Sequence, residues 1–426
     1  MEKIRIKGGK SLSGRLHLFG AKNAALPLMA SSLLTKATLT LNNLPNLVDI
    51  NTMKKLLMHH GVKVNSPKGN SDGNTIKRTL NLSAENIGDL TAPYDLVRQM
   101  RASILVLGPL LARMGEANVS LPGGCAIGAR PVDLHINGLE QLGAKFDFSG
   151  GYISAVAPKG LKGTHIVLPI VSVGATENLL MAACLAKGET IISNAAKEPE
   201  IRDLSNCLVA MGANIEGIGT DKLIIRGKTS LKGADYSIVG DRIEAGTYAI
   251  AAAITGGKIE LTGVSIELLE SVIEKLSEAG VSIEHTKQGF YIERKGKLKG
   301  IDVVTSPFPG FPTDLQAQIT ALMCIADGAT MITEEIFENR FMHIPELVRM
   351  GANITMHGSS SLVRGGDKLI GAPVMATDLR ASACLILAGL AAKGETIVNR
   401  VYHIDRGYEC IDERLSALGA DIERLD

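Results

Sequence analysis

Residues 188–216 read GETIISNAAKEPEIRDLSNCLVAMGANIE, and this phrase decides the fold. It begins with a glycine turn and a β-like run, continues with an amphipathic helical segment, and ends with a hydrophobic-Gly-Ala step into another β-like run. The same order returns, in clearer or weaker copies, at residues 36–65, 115–147, 257–284, 328–355 and 394–423. The chain is therefore predicted to consist of six copies of one structural unit.

The spacing of the copies sets the size of this unit. The glycines that follow the helical segments are 68 to 82 residues apart; they are Gly61, Gly143, Gly212, Gly280, Gly351 and Gly419. This period is too long for the common short helical repeats but suits a small α/β subdomain. An Ala/Leu/Ile-rich segment that is apolar all round precedes each copy and predicts a buried helix. A strand pair closes each copy, so the predicted unit is βαβαββ.

The sixth copy lacks its final strand, and the missing strand is found at the other end of the chain. Residues 3–14, KIRIKGGKSLSG, are similar to residues 222–233, KLIIRGKTSLKG, which follow the third copy. We therefore expect the amino-terminal strand to complete the last unit. The predicted fold class is α/β with two domains of three units each: residues 22–230, and residues 1–21 plus 231–426, with a cleft between them.

Composition excludes several classes of protein. The 426 residues include 45 Lys+Arg and 44 Asp+Glu, and this balance argues against a chain-wide surface for nucleic acid. Aromatic residues make up 4% of the chain and Trp is absent, so few side chains are available for nucleic-acid bases to stack on. We find no signal-like amino terminus, no apolar stretch of membrane-spanning length, no CxxC pair and no metal-ligand histidine spacing. We expect a soluble, reduced, cytoplasmic protein without membrane partner, metal or cofactor.

Charged residues recur where the buried helices are predicted to begin. The residues fourteen positions before each copy are Lys22, Arg101, Gly174, Ile243, Asp314 and Arg380. A cation there opposes the helix dipole, so local helix stability does not explain the three basic residues. Backbone N–H groups and cations together predict an anion site. Arg340 and Arg406 would add a second set of cationic side chains to this site. The alternative is that these cations simply reach solvent at the helix ends.

Two further segments carry candidate reactive groups. Residues 121–135, LPGGCAIGARPVDLH, place Cys125 among glycines just before Arg130-Pro131 opens a helix. The cation and the helix amino terminus favour a reactive thiolate, although an ordinary loop cysteine fits the local sequence equally well. Asp314 follows the rigid turn PFPGFPT and is predicted to be either a general base or a helix cap.

Together these segments resemble the UDP-N-acetylglucosamine 1-carboxyvinyltransferases of the enolpyruvyl transferase family, which act in peptidoglycan synthesis. The resemblance covers essentially the whole chain. The motifs that carry it are GAKNAALP (20–27), APYDLVRQMRAS (92–103), LPGGCAIGARPVDLHI (121–136), VGATEN (173–178), FPTDLQAQ (311–318), ENRFMH (338–343), TDLRAS (377–382) and HIDRGYE (403–409). It implies two inside-out α/β domains that bind two small-molecule substrates, phosphoenolpyruvate and UDP-N-acetylglucosamine (UDP-GlcNAc).

The resemblance also implies residue roles. Cys125 matches the family's proton donor and Asp314 its proposed base. The residues implied to hold phosphoenolpyruvate are Lys22, Asn23, Arg130, Arg380 and Arg406. Those implied to contact UDP-GlcNAc are Arg101, Arg130, Pro131, Val132, Asp133, Leu134, Ser172, Val173, Asp314 and Ile336. This chain has Ile170 where some relatives carry a lysine, so the resemblance leaves that diphosphate contact unassigned.

Three other functions are compatible with some of these features but not with all of them. A 5-enolpyruvylshikimate-3-phosphate (EPSP) synthase shares fold and chemistry, but that family lacks the loop cysteine. An RNA 3′-phosphate cyclase has a related repeat fold and requires a nucleophilic histidine motif, which this sequence does not contain. A non-catalytic anion-binding protein accounts for the repeat but not for Cys125 and Asp314. Enolpyruvyl transfer itself needs an acid, a base and cations, and requires neither a metal nor an organic cofactor.

Overall fold

A computed structural model describes residues 2–67, 71–72, 75–76, 78–121, 132–366 and 368–425. These residues form two compact units. The described residues from Gly20 to Val239 make up the first, called here the middle unit. Those before Gly20 and after Val239 make up the second, the terminal unit.

The strands are short. In chain order, two strands of the terminal unit come first, those of the middle unit follow, and the remaining strands of the terminal unit come after them. The chain begins with β1 (Lys3–Lys7) and β2 (Ser13–His17). The middle unit continues with β3 (Thr38–Asn42), β4 (Lys63–Asn65), β5 (Ser71–Asp72), β6 (Thr75–Ile76), β7 (Leu80–Ser83), β8 (Thr91–Ala92), β9 (Glu116–Ser120), β10 (Lys145–Ser149), β11 (Tyr152–Val156), β12 (His165–Val167), β13 (Glu189–Ser193), β14 (Asn214–Glu216), β15 (Lys222–Arg226) and β16 (Ala234–Ser237). The terminal unit resumes with β17 (Lys258–Thr262), β18 (Ser282–Thr286), β19 (Gly289–Glu293), β20 (Val303–Val304), β21 (Ala329–Thr333), β22 (Asn353–His357), β23 (Ser360–Arg364), β24 (Pro373–Met375), β25 (Glu395–Asn399) and β26 (Asp421–Leu425).

The helices alternate between buried and surface positions. Those of the middle unit are α1 (Lys22–Ser31), α2 (Val48–His59), α3 (Tyr94–Val97), α4 (Leu107–Met114), α5 (Asp133–Gln141), α6 (Val173–Ala183) and α7 (Pro199–Ala210). Those of the terminal unit are α8 (Arg242–Thr255), α9 (Glu270–Glu278), α10 (Gln316–Met323), α11 (Ile344–Arg349), α12 (Ala381–Ala391) and α13 (Ile411–Ala417). Short 3₁₀ helices lie at Ser32–Leu34, Arg101–Val106, Ile266–Leu269, Thr313–Leu315 and Val401–Arg406.

Among the residues that the structure describes, six four-stranded sheets share one topology, which confirms the prediction of a repeated α/β unit. In each sheet one edge strand pairs in parallel with its neighbour, and the remaining pairs are antiparallel. The orders are β16-β3-β7-β4, β10-β11-β9-β8 and β12-β13-β15-β14 in the middle unit, and β18-β19-β17-β2, β20-β21-β23-β22 and β24-β25-β1-β26 in the terminal unit. β5 and β6 form a separate hairpin.

Strands from the ends of each unit close its set of sheets. β1 pairs with both β25 and β26, so the amino-terminal strand completes the sixth sheet as predicted. β2 pairs in parallel with β17, the first strand of the fourth copy. In the middle unit β16, which follows the third copy, returns to pair in parallel with β3 of the first.

The repeat glycines have a specific conformational task. All six lie just beyond a surface helix, with φ between 91° and 100°. An L-residue with a side chain rarely adopts this left-handed backbone, whereas glycine does so at little cost. The glycines end the surface helices and turn the chain into the next strand, which explains why the repeat is visible in the sequence.

Each unit has its own hydrophobic core, built around helices that are buried on all sides. In the middle unit these are α1, α4 and α6, and in the terminal unit α8, α10 and α12. Ala, Leu, Ile and Met dominate them, because small and flexible apolar residues let three helices pack closely. Within the described residues, no helix is long and apolar enough to cross a membrane.

Candidate active site

The predicted charged residues do lie at helix starts. Lys22 is the first residue of α1, and Arg380 directly precedes α12. Arg101 and Asp314 begin or lie within 3₁₀ helices instead, at Arg101–Val106 and Thr313–Leu315, each of which runs into an α-helix.

In the terminal unit, Asp314 lies between two arginines. Arg340 Nη2 donates to Asp314 Oδ1 at 2.7 Å, and Arg380 Nε lies 3.5 Å from Asp314 Oδ2. The N-cap of this 3₁₀ turn is Pro312, so Asp314 is not the cap of this turn. A carboxylate held in this way keeps a fixed direction, which general base catalysis requires.

A chain of hydrogen bonds orients Arg340 in turn. Its Nη1 donates to Thr313 Oγ1 at 2.9 Å, and Thr313 Oγ1 donates to Glu334 Oε2 at 2.9 Å. The other Glu334 oxygen accepts the backbone N–H groups of Ile336 and Phe337. Glu334 thus links the Arg340 guanidinium to the backbone of Ile336, one of the predicted nucleotide contacts.

Arg380 is 2% exposed and lies in the core of the terminal unit. Its Nη1 donates to the backbone oxygen of Gly407 at 3.3 Å, and its guanidinium lies over the Tyr408 ring, 5.2 Å from the centroid. Gly407 follows Arg406, which ends the 3₁₀ helix Val401–Arg406. The structure therefore brings the segment of Arg406 next to Arg380.

In the middle unit, Lys22 pairs with a carboxylate that the sequence did not indicate. Lys22 Nζ lies 3.2 Å from Asp49 Oδ2, and both side chains are buried. Asp49 is in the first turn of α2, where the helix dipole favours a negative charge. Asn23, next to Lys22, is half-buried.

The buried helices of the middle unit run in the same direction. Their carboxyl ends, Leu34–Ala37, Ala112–Met114 and Leu185–Gly188, line one cavity of about 1150 Å³. α1 and α6 also pack against the 3₁₀ helix that Arg101 begins. The amino-terminal ends at Lys22, Arg101 and Val173 therefore lie at the opposite end of the unit from this cavity.

The predicted nucleotide contacts of this unit lie at two neighbouring helix starts. Ser172 is the N-cap of α6, and its Oγ accepts the N–H of Ala175 at 3.3 Å. Val132 is the N-cap of α5, which packs against α6 and begins with Asp133 and Leu134. Ile170 is 61% exposed and offers no polar side-chain group here.

Sequence reasoning missed several residues of these clusters. Asp49, Thr313 and Glu334 act through partners more than twenty residues away, and no local pattern indicates such pairing. Cys125, Arg130 and Pro131 lie outside the residues that the structure describes. Within the described ranges, no group of three or more His, Cys, Asp or Glu is arranged to hold a metal ion.

Comparison with known proteins places the chain among enolpyruvyl transferases. Residues 6–415 match the family described as EPSP synthase (3-phosphoshikimate 1-carboxyvinyltransferase). The chain is 62% identical over 428 residues to the UDP-N-acetylglucosamine 1-carboxyvinyltransferase of Rhodospirillum centenum, covering 100% of this chain and 99% of that protein. It is 60% identical over 427 residues to the protein of that name from Granulibacter bethesdensis, covering 100% of both.

Solved structures show the same fold at lower identity. The enolpyruvyl transferase NikO from Streptomyces tendae matches with a TM-score of 0.87 at 23% identity, covering 99% of this chain and 98% of that one. An EPSP synthase from Acinetobacter baumannii matches with a TM-score of 0.76 at 21% identity, covering 100% of both chains. These likenesses concern the fold alone.

Proposed function

The chain belongs to the EPSP synthase family of enolpyruvyl transferases, and from this membership we propose that it transfers the enolpyruvyl group of phosphoenolpyruvate to UDP-GlcNAc. The acceptor is the sugar 3-hydroxyl, and inorganic phosphate is the second product. The observation that carries this proposal is full-length identity of 55 to 62% with proteins named UDP-N-acetylglucosamine 1-carboxyvinyltransferase. As a transferase of this kind, the protein acts in peptidoglycan synthesis.

The reaction needs an acid and a base. The sugar hydroxyl oxygen bonds to C2 of phosphoenolpyruvate while C3 takes up a proton, which gives a tetrahedral intermediate. The C2–O bond to phosphate then breaks and C3 loses a proton, which restores the double bond. Asp314 is the proposed base for the hydroxyl, because Arg340 and Arg380 fix its carboxylate. Cys125 is the proposed proton donor to C3, on the basis of the resemblance alone.

The buried guanidinium of Arg380 supports an anion as its ligand. Its Nη2 has no hydrogen-bond acceptor among the described residues, although the residue is almost fully buried. A buried donor without an acceptor is costly, and an incoming phosphate or carboxylate would satisfy it. We assign Arg380 to phosphoenolpyruvate, together with Lys22, Asn23, Arg130 and Arg406.

The nucleotide is assigned to the helix starts of the middle unit and to two residues of the terminal unit. The backbone N–H groups of Ser172, Val173 and Gly174 lie at the start of α6. Backbone N–H groups at a helix start favour the binding of an anionic diphosphate. Arg101 and residues 130–134 are the other proposed contacts in this unit. Asp314 and Ile336 are the proposed contacts from the terminal unit.

We also propose a cytoplasmic location. Cys184, Cys207, Cys324 and Cys384 are buried free thiols, a pattern typical of a reducing compartment.

A phosphate-release assay tests the proposed reaction. Purified protein is mixed with phosphoenolpyruvate and either UDP-GlcNAc or shikimate 3-phosphate. We expect phosphate release with UDP-GlcNAc only, and loss of roughly 10²–10⁴-fold in turnover for Asp314→Asn, since the amide keeps the shape and loses the basicity. Release with shikimate 3-phosphate alone would make the protein an EPSP synthase. Release with neither acceptor would favour a non-catalytic anion-binding protein.

A further inference from the structure

Asn178 is a buried polar residue in the mostly apolar helix α6, where it follows two other buried polar residues, Thr176 and Glu177. Its Oδ1 accepts the backbone N–H of Gly108 at 2.7 Å, and its Nδ2 donates to the backbone oxygen of Ile104 at 3.0 Å. Its Nδ2 also lies 3.0 Å from Nδ1 of His135. One side chain thus connects α6 to the start of α4 and to α5.

The two backbone contacts identify an insertion into the helical ladder. Gly108 N–H and Ile104 C=O are four residues apart and would bond to each other in a continuous α-helix. The amide of Asn178 lies between them, at the point where the 3₁₀ helix Arg101–Val106 changes into α4. A Cβ on Gly108 would lie 2.3 Å from Asn178 Oδ1, so glycine is required for this approach. The insertion therefore gives the change from 3₁₀ helix to α-helix at this point a physical cause.

The same contacts fix the orientation of the Asn178 amide. Oδ1 must face the N–H donor of Gly108, and Nδ2 must face the carbonyl of Ile104. The remaining hydrogen of Nδ2 then points to His135 Nδ1, which must act as an acceptor. A neutral imidazole with an acceptor at Nδ1 carries its proton on Nε2. The network thereby assigns the tautomer of His135.

His135 is held neutral and faces the start of α6. The ring is 8% exposed, and burial, assisted by the charge of Arg101, lowers its pKa to about 4. A Cβ built on Gly174 would lie 3.5 Å from His135 Nε2, so this edge of the ring borders the first turn of α6. Among the described residues, Nε2 has no hydrogen-bond acceptor.

We propose that Asn178 is a positioning residue that holds His135 as the Nε2–H tautomer, and that this N–H donates to the diphosphate of the sugar nucleotide beside Ser172 and Gly174. The inference rests on the proposed function for the identity of the ligand. It adds a neutral, preorganised donor to the backbone N–H groups of α6. A nucleoside diphosphate is the matching ligand class, because its oxygens accept several N–H bonds at once.

Nuclear magnetic resonance of the ¹⁵N-labelled full-length protein tests the tautomer directly. His60 is the internal reference, because it is also buried in the middle unit but its Nδ1 donates to the backbone oxygen of Asp89 at 2.7 Å. We expect ring ¹⁵N shifts of opposite tautomers, Nε2–H for His135 and Nδ1–H for His60. The Nδ1–H form at His135 in the unmodified protein would overturn the proposal, whatever the outcome of the phosphate assay.

Calorimetric titration with UDP-GlcNAc tests the donor. In His135→Gln the longer amide can replace the Nε2 donor, whereas in His135→Asn the shorter amide reaches only the position of Nδ1. We expect His135→Asn to lose roughly tenfold or more in UDP-GlcNAc affinity, with His135→Gln close to the unmodified protein. The KM for phosphoenolpyruvate should change little in either variant. Equal UDP-GlcNAc affinity in all three proteins would refute a role in binding.

The variant Asn178→Asp distinguishes a role of Asn178 in positioning His135 from a role in the stability of the fold. Its second carboxylate oxygen cannot donate to His135, so the Nδ1–H tautomer becomes the favoured form. We expect the shift pattern of His135 to invert and UDP-GlcNAc affinity to fall roughly tenfold in folded protein. His60→Asn is the control, which should lower stability and leave UDP-GlcNAc affinity unchanged. If Asn178→Asp instead lowered stability alone, with unchanged tautomer and affinity, Asn178 would be a structural residue only.

Discussion

Lys22 Nζ lies 3.2 Å from Asp49 Oδ2, with the two side chains only 6% and 4% exposed. The amino-terminal end of α1 repels the lysine charge, whereas the amino-terminal end of α2 attracts the aspartate charge. Asp49 therefore stabilises a cation at a position that its own helix disfavours. A residue on a different helix thus offsets the unfavourable position of the Lys22 charge.

Removing Asp49 should destabilise the middle unit. Asp49→Asn leaves a buried ammonium without its carboxylate, which typically costs about 3–5 kcal/mol of unfolding free energy. Urea denaturation measures this loss. A double variant, Lys22→Met with Asp49→Leu, should recover most of the stability and still release no phosphate. A loss below about 1 kcal/mol in Asp49→Asn would contradict a buried ion pair of this kind.

Arg340→Lys should impair turnover although the charge is kept. A lysine cannot reach Thr313 and Asp314 together, because it lacks the planar fork of arginine. We expect kcat to fall by roughly ten- to a hundredfold, as for the loss of one charge-assisted hydrogen bond. Arg349→Lys, at the exposed end of α11, is the matched control and should behave as the unmodified protein. Unchanged kcat in Arg340→Lys would exclude a role for this arginine in orienting Asp314.

His343 should make the protein sensitive to acid. Both ring nitrogens are buried without a hydrogen-bond partner among the described residues, and burial lowers the pKa of the ring to about 3, with the charge of Arg340 acting in the same direction. The folded state disfavours the protonated ring, so stability is complete above the unfolded pKa of about 6.5 and is lost as the pH falls toward 3.

Replacement of this ring tests the sign of the effect. His343→Leu should remove a pH-dependent loss on the order of 3 kcal/mol, as measured by urea denaturation between pH 7 and pH 4. His357→Leu changes an exposed histidine of the same unit and should keep the loss seen in the unmodified protein. If His343→Leu lost as much stability on acidification as the unmodified protein, His343 would not be the acid-sensitive group.

Alkylation should select one cysteine. Burial raises the pKa of the Cys184, Cys207 and Cys324 thiols to about 12 and that of Cys384 also above its ordinary value, so none of the four supplies thiolate at neutral pH. Cys410 is exposed, but burial and nearby carboxylates raise the pKa of its thiol as well. A fosfomycin-type epoxide should therefore label Cys125, the reactive cysteine that the family resemblance implies.

Peptide mass mapping after epoxide treatment checks this selectivity. Cys410→Ser should be labelled as the unmodified protein is, whereas Cys125→Asp should escape labelling and keep measurable turnover at lower pH. Epoxide label on a buried cysteine, or full inactivation of the Cys125→Asp variant by the epoxide, would contradict the assignment.

The sequence allowed prediction of the fold because its signals are local. Glycine at the end of each surface helix is required by a left-handed backbone, and it recurs at all six copies. The strand similarity between residues 3–14 and 222–233 likewise predicted that β1 completes the last sheet. Each of these signals depends on backbone conformation over a few residues and leaves a visible residue pattern.

The site was predicted only in part because its polar contacts are distant in sequence. The positions of Lys22, Arg380 and Asp314 followed from the repeat, but their partners did not. Asp49 is 27 residues from Lys22, and Asn178 is 43 from His135. Which polar groups meet in a core depends on helix packing, and a buried Asn in a mostly apolar helix gives no indication of its partner.

The position of β1 has a consequence for biosynthesis. Lys3 pairs with Asn399 on one side and Leu425 on the other, so β1 is synthesised long before either of its partners. The middle unit, by contrast, is complete once Val239 has emerged and can fold while translation continues. Until β25 and β26 have been synthesised, both edges of β1 are unpaired, and its three basic residues, Lys3, Arg5 and Lys7, limit the edge-to-edge aggregation to which an unpaired strand is prone. The sixth sheet is therefore completed only when β1 is inserted between β25 and β26, after both have been synthesised.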